Sequence, residues 1–110
     1  MSPARRTRGS RSGRPIMVVL DLLGRRWTLR VLWELRDQTF TFRELQARCD
    51  GMSSSVLNLR LRELREADIV AVDEGGGYRL TEEGRELLEA LAPLNGWAAQ
   101  WGERRLRRSR

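Results

Sequence analysis

The chain has no histidine and no lysine, a single cysteine, three prolines and one tyrosine. Without histidine it lacks the side chain most often used as a general base or metal ligand near neutral pH. A lone cysteine, Cys49, can form neither an internal disulfide nor a multi-thiolate metal site, and it suits a reducing cytoplasm. No serine or cysteine stands in a pattern with a base. Gly75-Gly-Gly77 is too short, and in the wrong context, for a phosphate-cradling loop. Glu82, Glu83 and Glu86 are accounted for by the positive end of a helix dipole. No catalytic residue, metal site or cofactor is therefore expected. Long apolar runs are also missing. Ile16–Leu20 is interrupted by Asp21 and closed by Gly24-Arg-Arg26, so neither an export signal nor a membrane span is expected, and the expected location is the cytoplasm.

What is present fits one small globular domain: 110 residues, 40% of them hydrophobic. All 21 basic residues are arginine, against 15 acids, for a net charge of +6. The excess is not spread evenly. Residues 1–14 and 104–110 carry five arginines each and no acid, which leaves 11 arginines against all 15 acids in 15–103. The chain thus divides into a basic arm at 1–14, expected to be disordered alone, a domain at 15–103 and a basic tail at 104–110. Such ends raise affinity for a polyanion, or are simply solvated.

Pro15 suits a first helical position, and Ile16–Leu23 reads as a short helix that is apolar nearly all round. A helix that greasy suggests burial between subunits. Trp27–Arg36 reads as a second helix, with Trp27, Val31, Leu32 and Leu35 at helical spacing. Phe40-Thr-Phe42 is short and β-prone. Thr41 with Glu44 makes a capping box, and Phe40 with Leu45 a hydrophobic staple, so a third helix runs to Cys49. After the Asp50-Gly51 turn, Ser53 caps a fourth helix reaching about Ala67, with Met52 and Leu57 as its staple. Ile69–Asp73 and Tyr78–Leu80 form a hairpin around a flexible Glu74–Gly77 tip. Thr81 caps a last helical region. There Leu87, Leu91, Leu94, Ala98 and Trp101 form a heptad-like stripe, edged by Trp97, that Pro93 should kink or split. The predicted fold is mainly α with a small β-hairpin wing, the winged helix-turn-helix arrangement. Its second helix enters a DNA major groove.

The fourth helix carries the functional argument. With Leu57 at zero and about 100° per residue, Leu61 and Leu64 fall beside it as a core stripe. Ser55, Asn58, Leu59, Arg62 and Glu66 fall opposite, with Ser53 and Ser54 at the first turn. Short hydroxyls, an amide and a guanidinium suit base edges and phosphates, and Leu59 suits a thymine methyl. The same residues also suit a plain solvated face. In the hairpin, Arg79 is the one basic side chain.

The ordered set of residues resembles the HxlR-type family of small bacterial winged-helix regulators. The matching stretches are Leu20-Asp-Leu-Leu-Gly24, Arg26-Trp27-Thr28, Phe42 with Glu44-Leu45, Gly51-Met-Ser53, Val56-Leu57, Arg60-Leu61-Arg-Glu-Leu64, Tyr78, Leu80-Thr81, Gly84 and Trp97. The resemblance spans residues 14–102. It implies a homodimeric repressor or activator that binds double-stranded DNA and dimerises through its first and last helices. On those helices the apolar positions are Ile16, Val19, Leu20, Leu87, Leu91, Leu94, Trp97 and Trp101. Three departures stand out. Arg14 occupies the place where the family often has a cysteine, so thiol sensing there does not carry over. The Glu74–Gly77 wing is shorter than usual. Asp68 replaces a glycine after the reading helix, where a left-handed residue is expected, with a small loss of stability.

Cys49 reads as a buried structural thiol, with redox sensing as the alternative. Trp97 and Trp101, one turn apart, pack a dimer or, together with Trp33, line a cleft for a flat aromatic effector. A competing reading of the chain is a winged-helix module for protein interaction or small-molecule binding that has lost specific DNA binding.

Overall fold

A computed structural model describes residues 13–109. Chain order is α1 (Pro15–Leu23), α2 (Thr28–Glu34), β1 (Phe40–Thr41), α3 (Phe42–Arg48), α4 (Ser54–Glu66), β2 (Val70–Val72), β3 (Gly77–Leu80) and α5 (Glu82–Arg108). Local chemistry accounts for most of these boundaries. Thr41 Oγ1 accepts from the Glu44 amide while the Glu44 carboxylate accepts from the Thr41 amide, closing the expected capping box. Ser53 Oγ accepts from the Val56 amide at 3.2 Å, and Thr81 Oγ1 from the Gly84 amide at 3.0 Å. The four staple residues, Phe40, Leu45, Met52 and Leu57, are all buried in the core.

One core joins the helices to the sheet. Val31, Leu32, Leu35, Leu45, Leu57, Leu61, Leu64, Val70 and Leu80 pack at its centre, with Val19, Leu22, Leu87, Leu88 and Leu91 partly buried against it. The sheet differs from a bare hairpin. It has three antiparallel strands in the order β1-β3-β2, with Phe40 opposite Tyr78 and Val70 opposite Leu80. Two residues of β1 thereby tie the start of α3 to the wing.

Other differences have clear causes. Trp27 does not open α2 as a helical residue. It precedes the helix with φ +77°, a left-handed conformation that costs a bulky side chain on the order of 1–3 kcal/mol. The hairpin tip, expected to be flexible, is tied by Asp73. Its Oδ1 accepts from the amides of Gly75 at 3.0 Å and Gly77 at 2.8 Å. Pro93 does not split the last region, for α5 is a single helix of 27 residues. The carbonyl four residues before it belongs to Glu89, on an exposed stretch where water can replace the lost amide. Residues 104–108, expected as a basic tail, are the last turns of α5. Arg105, Arg107 and Arg108 meet the negative end of the helix dipole, and Ser109 Oγ donates to the Arg105 carbonyl at 3.0 Å. Asp68 takes the left-handed conformation expected of it, at φ +63°. Most of the basic arm, residues 1–12, lies outside the described residues. Among the described residues, no helix is long and apolar enough to cross a membrane.

Candidate nucleic-acid interface

α3 and α4 meet at Gly51, whose φ of +88° allows the sharp reversal between them. α4 is then anchored by one edge. Leu57, Leu61 and Leu64 are at most 1% exposed. On the far side Ser54, Ser55, Asn58 and Arg62 are exposed, and Leu59 is 37% exposed. An apolar side chain standing in water at the middle of a polar face is a feature that a thymine methyl would cover.

Ser53 divides its capacity. Its hydroxyl caps the helix and lies 3.2 Å from the Ser55 hydroxyl, so its first task is structural. Arg62 does not stand alone. It shares an open groove between α4 and β2 with Arg65, Glu66, Val70, Ala71 and Val72. Arg65, one helical turn after Arg62, escaped the sequence reading because its angle places it on the flank of α4 rather than opposite the core. Arg79 lies on β3 opposite Ala71, exposed, and is not among the residues lining that groove.

A second surface is apolar. Ile16, Met17 and Leu20 of α1 are 41–58% exposed, as are Leu94, Trp97 and Trp101 of α5. Val19, Leu87 and Leu91 are instead partly buried against the chain's own core. The Trp97 and Trp101 rings stack with centroids 5.8 Å apart and planes 14° apart, and the Arg105 guanidinium lies 4.9 Å from the Trp101 ring. Trp33 is not brought to this pair within one chain. Its ring is covered by Arg36 at 4.0 Å, beside Phe40 and Arg48.

Cys49 is 1% exposed at the end of α3. Burial pushes its thiol up, Arg30 opposes that, and Glu34 adds to it. A neutral, enclosed thiol is a packing group and a poor nucleophile.

Comparison with known proteins agrees with this geometry. Residues 22–106 match the family described as HxlR-like helix-turn-helix. An HTH-type transcriptional regulator of Synechocystis is 35% identical over 96 residues, 81% of this chain and 70% of that protein. The HTH-type transcriptional regulator YvaP of Bacillus subtilis is 30% identical over 88 residues, 74% of this chain and 82% of that one. Among solved structures, quinone-bound YodB of B. subtilis superposes with a TM-score of 0.74 at 32% identity, covering 79% of this chain and 98% of YodB. An Enterococcus faecalis V583 protein assigned to the MarR family of transcriptional regulators reaches 0.76 at 28% identity, covering 94% and 99%. The matched span takes in every element from the end of α1 to the last turns of α5, and the chain belongs to the HxlR-like helix-turn-helix family.

Proposed function

We propose that this protein regulates transcription as a homodimer, with two copies of α4 reading a pseudo-palindromic operator. That it is a DNA-binding transcriptional regulator of winged-helix type follows from its family and relatives. The finer reading rests on one observation: α4 buries Leu57, Leu61 and Leu64 completely while presenting Ser54, Ser55, Asn58, Leu59 and Arg62 together. In this reading Asn58 pairs with adenine, Arg62 with guanine, and Leu59 meets a thymine methyl. Ser53 and the amides at the start of α4 approach a phosphate, and Arg79 follows the backbone beside the β2–β3 wing.

Dimerisation through α1 and α5 is supported by the exposed apolar side chains Ile16, Leu20, Leu94, Trp97 and Trp101, which water solvates poorly. The stacked Trp97–Trp101 pair also suits one wall of a cleft for a flat aromatic effector, and the likeness to quinone-bound YodB supports that class of ligand. The protein acts in the cytoplasm, by binding rather than catalysis. Hydroxyl-radical footprinting on a duplex selected from a random library, beside sedimentation of the protein alone, tests this reading. The expected result is a dimer protecting two segments about 34 Å apart along one face. A monomer without a footprint would instead indicate an interaction module.

A further inference from the structure

A chain of partly buried charges fastens the turn between α1 and α2 to the reading helix. Asp21 Oδ2 on α1 lies 3.2 Å from Arg25 Nη2, and Arg25 Nη1 lies 3.0 Å from Glu63 Oε2 on α4. Glu63 Oε1 accepts from Arg60 Nη1 at 2.9 Å, and Arg60 Nε donates to the Arg26 carbonyl at 2.7 Å. The circuit leaves α1, crosses to the middle of α4 and returns to the turn. Arg60 and Glu63 are only 16% and 19% exposed, so solvent screens them less than a surface pair.

The same turn grips α4 at a second level. Trp27 is held in its left-handed conformation with its ring against Gly51, just ahead of the Ser53 cap. A strained bulky residue persists only where its surroundings over-determine it. Here those surroundings are the Arg60 bond to the preceding carbonyl and the packing on the α3–α4 turn. None of these side chains belongs to the reading face. Enclosed ion pairs of this kind add little net stability over apolar replacements; their directed bonds fix a relative placement.

We propose that Glu63 is a positioning residue for DNA recognition. Through Arg25 and Arg60 it fixes α4 relative to α1, and so fixes the separation of the two reading helices when α1 packs in a dimer. This rests on the dimeric reading above. The test uses the full chain and a duplex selected by the wild type from a random library. That duplex is compared with versions whose half-sites are one base pair closer or farther, and with an isolated half-site. The wild type is expected to favour the selected spacing by about 10-fold. Glu63→Gln and Asp21→Asn are each expected to narrow that preference to within about threefold, with half-site affinity held within about twofold of wild type. If both variants keep the full spacing preference, Glu63 is merely structural and the proposal falls. If the wild type itself ignores spacing and binds a single half-site equally well, the dimeric reading falls and takes the proposal with it. Should Glu63→Gln fail to fold, Asp21→Asn decides alone, because its contact lies at the α1 end of the circuit.

Discussion

The Thr81 hydroxyl donates to the Asp68 carbonyl at 2.6 Å and accepts from the Gly84 amide at 3.0 Å. One side chain thus caps α5 and ties it to the left-handed residue that follows α4. The two ends come so close that a Cβ on Gly84 would collide with the Ile69 carbonyl oxygen. Because the obstacle is backbone, it cannot swing aside. Gly84→Ala is expected to destabilise the fold by about 2 kcal/mol, although it raises helix propensity, as read from urea denaturation. A gain in stability would show that α5 can slide away from β2.

Two substitutions at Ser53 separate its cap from the proposed phosphate contact. Ser53→Ala removes the bond to the Val56 amide and should cost about 1 kcal/mol of stability. Ser53→Asp restores the cap but sets a negative charge where the account places a phosphate. It is expected to keep wild-type stability and to lose DNA affinity at every salt concentration. Wild-type binding by the aspartate variant would place the duplex away from this end of α4.

Arg62 and Arg65 should fail differently. Arg62→Ala is expected to relax preference at one position of the site, by about 1–3 kcal/mol. Arg65→Ala, at the flank of the groove, should weaken all duplexes alike and lower the salt slope by about 1. Binding isotherms at several salt concentrations distinguish the two.

Cys49 bears on alkaline stability. Burial raises its folded pKa, so the thiol favours folding fully while it is protonated in both states. That contribution is lost as pH rises through the alkaline range, where the unfolded chain ionises first. The wild type is expected to lose stability above its ordinary thiol range faster than Cys49→Ala does. The native thiol should also react with iodoacetamide far more slowly than in denaturant. Equal reactivity in both states would mean that Cys49 is not enclosed.

The elements whose signals are local were legible in the sequence. Thr41 with Glu44, Ser53, and Thr81 mark helix starts because a cap and its amide lie within three residues of each other. The Leu57, Leu61, Leu64 stripe fixes which way α4 faces because helical period alone sets it. What required the structure depends on residues far apart in the chain. The pairing of β1 with β3 brings Phe40 to Tyr78. The left-handed Trp27 sits between the Arg26 carbonyl that Arg60 bonds and Gly51, which its ring approaches. Arg60 and Glu63 stand in the sequence only as part of the Arg60–Leu64 stretch, since nothing in their own helix announces Arg25 or the Arg26 carbonyl as partners. At Pro93 and at residues 104–108 the local signals run the other way, yet α5 continues through both. Local rules against a helix there were overridden by exposure of the affected carbonyl and by the dipole at the end of α5.

In the proposed binding mode, sequence selection depends most on the face formed by Asn58 and Arg62. The direct measurement is a competition mobility shift, at fixed salt, of wild type and the Asn58→Ala, Arg62→Ala double variant on a duplex selected by the wild type, against random-sequence duplex. The double variant is expected to stay folded, to keep weak salt-sensitive binding and to lose about 100-fold of the preference for the selected duplex. Undiminished preference in the double variant would contradict the assignment of α4 as the helix that reads DNA.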